Sequence, residues 1–269
     1  MRLFDSHVHL LDARFGSGAI RSEMLRRARF ADVEGALVPA VNPHDWDSLN
    51  MRFFEYDGKD PACPLRFALG IHPHALASLD PSGDQGRQDR LQARLAAGTR
   101  DIVAVGECGL DYSLEVDRAR QQAVLISQIK LAASHALPLI LHCVRAHDDL
   151  LRLLHAHGAP PSVVHGFTGS AETARRWIAA GHLIGIGGAI TRPNIRRLRG
   201  AVCAIPDDRL LVETDAPDQT PFARRPAHNE PAFLIDVVES IAALRGVDAA
   251  TIARITWRNA DRLFGPLCP

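Results

Sequence analysis

The sequence predicts an α/β fold, a TIM-type (β/α)8 barrel in a single domain over residues 1–269, and three observations predict it. Eight short apolar runs of strand length alternate along the chain with segments of helical period. No second composition regime, internal repeat, low-complexity tract or long linker interrupts them. The length, 269 residues, is close to that usual for such a barrel. An open doubly wound sheet is the competing arrangement. No Gly-x-Gly-x-x-Gly follows the first strand, so nothing supports a dinucleotide fold.

Composition bounds the function. With 46% apolar and 23% charged residues the chain reads as an ordinary globular protein with a sizeable core. Thirty-one basic side chains balance 31 acidic ones, so there is no general pull toward nucleic acid or membrane, and any polyanion site must be a local patch. No run of about 18 apolar residues occurs, and the N-terminus passes straight into Asp5 and His7 rather than an apolar signal core. A cytoplasmic protein with no membrane partner, monomeric or weakly oligomeric, is expected. Cys63, Cys108, Cys143, Cys203 and Cys268 are odd in number and form no Cys-x-x-Cys pair, which argues for reduced thiols and against a structural zinc knuckle.

The first strand is Phe4-Asp5-Ser6-His7-Val8-His9-Leu10. Side chains two apart on a strand share a face, so His7 and His9 point one way and Ser6 and Val8 the other. Two imidazoles converging on one point are half of a transition-metal site; for a bare His-x-His, two core histidines satisfied by hydrogen bonds is an equally weighted alternative. A loop over residues 14–18 leads to a helix starting at Ser22. Gly35-Ala36-Leu37-Val38-Pro39-Ala40-Val41 is the second strand, ending at Asn42, with a helix over residues 44–56. Leu65-Arg66-Phe67-Ala68-Leu69-Gly70-Ile71 is the third, stopped by His72-Pro73-His74, with a helix near 85–97. Asp101-Ile102-Val103-Ala104-Val105-Gly106-Glu107 is the fourth, followed by a long helix over 114–134. Pro138-Leu139-Ile140-Leu141-His142 is the fifth, with a helical period from Asp148 behind it. Ser162-Val163-Val164-His165 is the sixth, ended by Gly166, and a helix starts at Ser170. His182-Leu183-Ile184-Gly185-Ile186-Gly187-Gly188 is the seventh, followed by a basic helix starting at Pro193. Leu210-Leu211-Val212-Glu213-Thr214-Asp215 is the eighth, and helices over 229–244 and 248–263 close the chain.

The residues at the C-terminal ends of these strands are His7 and His9, Asn42, His72 and His74, Glu107, His142, His165, Gly188 and Asp215. In a barrel these ends share the face on which active sites are built. His7, His9, Glu107, His142, His165 and Asp215 make a set of four imidazoles and two carboxylates, enough for two divalent metal ions with positions left open for water. Mixed nitrogen and oxygen donors favour Zn, Mn or Fe over Ca, and the carboxylates keep Mg in play. A single strand-end histidine is better explained as a loop brace; six such residues together are not. His44, His135, His147, His155, His157 and His182 read as surface or packing residues, and Asn42 keeps a structural role.

The chain resembles the TatD family of metal-dependent hydrolases, deoxyribonucleases within the barrel metallo-hydrolase group. The motifs are Asp5-Ser6-His7-Val8-His9, Gly70-Ile71-His72-Pro73-His74, Gly106-Glu107-Cys108-Gly109-Leu110-Asp111-Tyr112, Leu141-His142-Cys143, His165-Gly166-Phe167-Thr168-Gly169, Glu213-Thr214-Asp215-Ala216-Pro217 and Asn229-Glu230-Pro231. They span nearly the whole length and are more specific for family than for substrate. The resemblance implies that His7, His9 and Asp215 hold one metal, His142 and His165 the other, and Glu107 bridges them. Related barrel hydrolases often bridge their metals with a carboxylated lysine; here the only lysines are Lys59 and Lys130, near or in helices, which leaves the bridge to Glu107. The chain departs from the family at Val144, where many members carry an arginine; Arg145 follows it, aimed either inward at phosphate or out to solvent.

The expected chemistry is metal-dependent hydrolysis, with a 3'-5' exonuclease on single-stranded DNA first. Asp215, next to metal and water, is the expected general base. His74 either orients a phosphate and protonates a leaving oxygen or braces its loop. Tyr112 either stacks on a base or packs in the fourth loop. Arg192, Arg224 and Arg225 lie on the face suited to backbone phosphates, whereas Arg196, Arg197 and Arg199 read as a solvated helix face. The rival function is hydrolysis of an amide, ester or lactone, including an aminoacyl ester, by the same activated water, which the zero net charge favours mildly. A binding scaffold ranks last, because none of the six residues is missing.

Overall fold

A strand that is apolar on both faces must be covered on both. A chain alternating such strands with amphipathic helices meets that need by curling its sheet into a ring with the helices outside. That arrangement is seen in the computed structural model, which describes residues 1–49 and 64–267. The strands are β1 (Leu3–Asp5), β2 (Val33–Pro39), β3 (Leu65–Leu69), β4 (Ile102–Asp111), β5 (Leu139–Val144), β6 (Val163–Val164), β7 (Leu183–Ile186) and β8 (Leu210–Val212). They pair in parallel in the order β1 to β8. Backbone bonds join the two ends of the sheet: Ser6 N donates to Val212 O at 3.1 Å, Asp215 N to His7 O at 2.9 Å, and His9 N to Ala216 O at 2.9 Å.

The helices are α1 (Gly18–Phe30), α2 (Pro73–Leu76), α3 (Asp84–Ala96), α4 (Arg118–Ser134), α5 (His147–Ala156), α6 (Ala171–Ala179), α7 (Arg196–Ala204), α8 (Leu234–Arg245) and α9 (Ala249–Phe264). Their starts follow capping chemistry. Asp117, Ser170 and Asp248 accept from the backbone N–H groups of Ala119, Thr173 and Thr251 at 3.1, 3.1 and 2.6 Å, satisfying donors that a helix N-terminus leaves free. Gly246 ends α8 in the left-handed conformation, which a residue without Cβ adopts at no steric cost. No helix among the described residues is long and apolar enough to cross a membrane.

The barrel interior below the strand C-terminal ends is filled by side chains from every strand: Phe4, Leu37, Ala68, Val103, Ala104, Ile140, Val163, Leu183 and Leu211 pack in one cluster with Ala260, Phe264 and Leu267. Phe4 meets Trp257 edge-on at 6.4 Å and Phe264 at 6.0 Å, so α9 plugs the floor. Functional side chains are thereby confined to the opposite face.

Several expected boundaries are corrected. β1 stops at Asp5; His7 and His9 sit beyond it, on a stretch bridged at Val8 to Ala216 and bonded through Val8 N to Leu37 O at 3.0 Å. β4 runs on to Asp111. The loop over 14–18 contains a 3₁₀ turn, Ala13–Phe15, and α1 starts at Gly18 rather than Ser22. A 3₁₀ turn, Pro43–Asp47, stands at the start of the helix expected over 44–56; residues 50–56, like Lys59, Cys63 and Cys268, lie outside the described residues. α4 begins at Arg118, capped by Asp117. A 3₁₀ turn, Gly188–Thr191, and an extended Arg192 precede α7, which starts at Arg196 rather than Pro193. A further turn, Pro231–Phe233, precedes α8. β8 stops at Val212, and Asp215 adopts a φ of 54°, a strained value for a non-glycine residue.

Candidate active site

The irregular backbone after β1 brings His7 and His9 together: their Nε2 atoms lie 3.1 Å apart. Beneath them Asp5 is fully buried, accepting from Thr214 N at 2.9 Å, Thr214 Oγ1 at 2.5 Å and His7 N at 3.3 Å. It thus ties the chain carrying His7 to the chain carrying Asp215. Burial pushes its carboxyl up to about 7, against the lowering effect of those three bonds.

Glu107, buried on β4, stands at the centre. Its Oε2 lies 3.3 Å from His7 Nε2 and 3.5 Å from His9 Nε2. Its Oε1 lies 2.7 Å from His165 Nε2, 3.1 Å from His72 Nε2 and 3.2 Å from His142 Nδ1. Asp215 Oδ1 lies 3.3 Å from His9 Nε2 and 3.7 Å from His7 Nε2, and its Oδ2 accepts from Gln219 Nε2 at 2.8 Å. The His7 and His165 rings stack at 3.9 Å. One carboxylate therefore presents each of its oxygens to a different group of imidazoles.

The electrostatics follow from that packing. Burial alone would raise the Glu107 carboxyl, but His72, His165 and His7 hold it well below the usual carboxylate range. Asp215 is likewise held low against burial, chiefly by its bond to His9. Burial would lower His142 and His165, yet Asp111 and Glu107 raise His142 to about 9, and Glu107 raises His165 to about 9. Burial wins at His7 and His72, both pushed down to about 4.

These residues fit a metal better than a hydrogen-bond network. The Nε2 atoms of His7 and His9 face each other and the same Glu107 oxygen; two neutral nitrogens at that spacing share at most one proton, whereas a cation accepts lone pairs from both. Among the described residues the Nδ1 atoms of His7, His9 and His165 are buried without a partner, so no described neighbour fixes which ring nitrogen carries the proton. Groups that could hold an ion are His7, His9 and Glu107; His7, His165 and Asp215; His72, Glu107 and His142; and His74, Asp111 and His142.

The cluster opens into a cleft of about 410 Å³ whose walls include Leu11, Asp12, Pro39, Val41, Asn42, Asp45, His74 and Asp218. The structure brings His7, His9, Glu107, His142, His165 and Asp215 to this one point. His74 stands on the wall, 56% exposed, with Nε2 3.3 Å from Asp111 Oδ2. Tyr112 and Arg145 are not among the lining residues. The Tyr112 hydroxyl donates to Asp149 at 2.8 Å and accepts from Gln122 at 2.8 Å, with Arg118 stacked 4.3 Å from its ring. Arg145 is exposed with φ 54°. Arg224 pairs with Asp236 at 2.7 Å. Asn42 caps the turn after β2, accepting from His44 N at 3.1 Å, in line with its structural reading. His147 and His182 pack against Trp177.

Four participants carried no assigned role in the sequence. His72 contacts Glu107; Asp111 contacts His142 Nε2 at 3.1 Å; Glu213 accepts from Gly166 N at 2.5 Å; Gln219 bonds Asp215. The signal for three of them was spacing: His72, Asp111 and Glu213 stand two, four and two residues from His74, Glu107 and Asp215, offsets that share a face on extended chain. Nothing in the sequence marked Gln219.

A parallel barrel with its polar cluster at the strand C-termini, built from histidines around a shared carboxylate, defines the class of metal-dependent barrel hydrolases. The chain matches the family described as TatD related DNase over residues 4–265, and it belongs to that family. It is 35% identical to the 3'-5' ssDNA/RNA exonuclease TatD of Dickeya dadantii, covering 98% of each chain. It is also 35% identical to the uncharacterized metal-dependent hydrolase YjjV of Escherichia coli, again over 98% of each. The crystal structure of YjjV superposes with a TM-score of 0.86 at 34% identity, covering 100% of this chain and 99% of that one. A TatD family hydrolase from Entamoeba histolytica, at 21% identity and TM-score 0.84, shares the fold.

Proposed function

We propose that the chain, working as one cytoplasmic barrel domain, is a 3'-5' exonuclease acting on single-stranded DNA at a centre of two divalent cations, Zn, Mn or Mg. The observation that carries this reading is the division of Glu107, with Oε2 toward His7 and His9 and Oε1 toward His142 and His165. In this reading His7, His9 and Asp215 would hold one cation, His142 and His165 the other, and Glu107 would serve both. The name of the Dickeya dadantii relative supports the substrate class.

Such cations, when bound, supply Lewis acidity toward a phosphoryl oxygen and make water acidic enough to attack near neutral pH. The remaining work belongs to side chains. Asp215 takes the proton of the attacking water through the oxygen that also faces His9. Gln219 holds the other Asp215 oxygen, so the carboxylate is aimed before substrate arrives. His74, on the exposed wall, orients the scissile phosphate and donates to the leaving oxygen. Leu11, Pro39 and Val41 give the cleft apolar surface for the terminal sugar and base.

The test is nucleotide release from a single-stranded DNA oligomer by wild type, Glu107→Ala and Asp215→Ala with Mg, Mn and Zn added in turn. Turnover that requires a metal and disappears in both variants is expected. Intact oligomer after incubation with metal-loaded wild type would overturn the nuclease reading and direct the search to carbonyl esters, amides and lactones.

A further inference from the structure

The loops after β7 and β8 build a rim beside the cleft that the catalytic cluster does not use. The Gly188–Thr191 turn and the Phe222–Arg224 turn pack together: Thr191 Oγ1 donates to Gly188 O at 2.7 Å and accepts from Phe222 N at 2.8 Å. The same loop carries Gln219, which reaches back to Asp215. The rim is thus rigidly continuous with the catalytic face.

Its exposed chemistry is unusual in two respects. Phe222 is 53% exposed, an aromatic face turned to solvent at the edge of a polar site. On the same two turns stand Arg192, next to the Thr191 that bonds Phe222, and Arg225, which ends the Phe222 turn, and among the described residues neither makes an ion pair or a side-chain hydrogen bond. Arg192 is half-buried, and its Nε is shielded from solvent without an acceptor among the described residues. Neighbouring arginines are spoken for: Arg14 by Asp12 and Asp218, Arg224 by Asp236, Arg27 by Glu230. In a chain of zero net charge these two guanidinium groups form a local cationic site for which the described residues supply no paired anion.

We propose that this rim is a binding subsite for single-stranded nucleic acid, holding the part of the strand that has not yet entered the cleft. A nucleobase stacks on Phe222, and the flanking phosphates lie against Arg192 and Arg225. The proposal rests on the nuclease reading of the cleft and extends it to the strand beyond the scissile bond. An unpaired base offers the π-face that Phe222 needs, whereas a duplex keeps its bases stacked inside; a strand also supplies phosphates at the spacing of successive arginines.

The test measures binding and turnover separately, on wild type, Phe222→Ala and the Arg192→Gln, Arg225→Gln double variant, all metal-loaded. Binding is read by fluorescence anisotropy of a labelled single strand of about 12 nucleotides with cleavage-resistant phosphorothioate linkages. Turnover compares an ordinary oligomer of that length with a small aryl phosphodiester too short to reach the rim. Phe222→Ala is expected to weaken strand binding about tenfold, and to lower the ratio of kcat/KM for the oligomer to that for the small diester by the same factor. The arginine variant is expected to flatten the dependence of log affinity on log salt by about 0.7 for each phosphate it no longer neutralises. Equal effects on long and short substrates, or wild-type affinity in both variants, would overturn the subsite. Wild type that binds the strand through Phe222 but cleaves no oligomer would leave the subsite standing and remove the nuclease reading. Wild type that cleaves oligomers with unchanged efficiency in the variants would do the reverse.

Discussion

Asp111 Oδ2 lies 3.1 Å from His142 Nε2, on the side of the ring opposite Glu107, which lies 3.2 Å from Nδ1. The imidazole is clamped between two carboxylates, and Asp111 is itself fixed by Ser113, whose N–H and Oγ donate to Oδ1 at 2.9 and 2.5 Å. A carboxylate behind a histidine sets which nitrogen carries the proton and which faces the ion. Asp111→Asn is therefore expected to weaken divalent cation binding about 10–100-fold, measured by isothermal titration calorimetry. Wild-type affinity in that variant would show that His142 needs no such support.

Gly188 sits where the β7 loop meets the β8 loop, and a Cβ there would stand 1.8 Å from Gln219 O. Gly188→Ala must push the two loops apart and loosen the Gln219 bond to Asp215. A loss of about 1–3 kcal/mol in urea unfolding is expected, together with a lower kcat. Gly200→Ala on α7, where a Cβ meets nothing within 4 Å, is the control and is expected to be slightly stabilising by helix propensity. Identical behaviour of the two variants would refute the close approach.

His182, at the start of β7 and far from the cleft, is 3% exposed. Its imidazole is pushed down to about 4 by burial, with Arg209 adding to the effect. An unfolded histidine takes up its proton near pH 6.5, so between pH 6.5 and 4 the unfolded chain binds more protons than the native one. The stability tied to neutral His182 is complete above pH 6.5 and falls as the pH drops toward 4. Urea unfolding at pH 7.5 and 4.5 is expected to show a larger decline for wild type than for His182→Phe, by up to about 3 kcal/mol. Parallel declines would contradict a buried neutral imidazole.

Metal removal reads the cluster as a whole. A ligand that binds only the native state stabilises it by about 2.7 kcal/mol at a hundred times its Kd. Adding Mn or Zn to chelator-treated protein is thus expected to raise Tm by roughly 5–10 °C, and Glu107→Ala to abolish the rise. Equal shifts in wild type and variant would place the binding elsewhere.

Most of the barrel was legible because its strands contain continuous apolar runs, residues 35–41 and 138–141 among them, and because strand-end histidines stand out from apolar neighbours. What escaped was set by tertiary packing. β1 stops at Asp5 because the chain beyond it turns to meet Thr214 and Ala216, partners more than 200 positions away that no local period encodes. Asp111 was hidden by the expectation that β4 ended at Glu107, whereas pairing with β5 carries it four residues further. The start of α7 moved because Arg192 stays extended to let Thr191 reach Phe222. Tyr112 and Arg145 sit beside strand-end residues in sequence yet off the cleft wall, since neighbouring positions at a strand end diverge in direction.

The seam of the ring runs through the candidate centre, with Ser6, His7 and His9 on one side joined by backbone bonds to Val212, Asp215 and Ala216 on the other. A ribosome-bound chain that has emerged only as far as β7 carries every histidine of the cluster but neither Asp215 nor the strand against which His7 is held. Closing the ring and assembling the full cluster are therefore a single event, one that waits until β8 and Asp215 have been made.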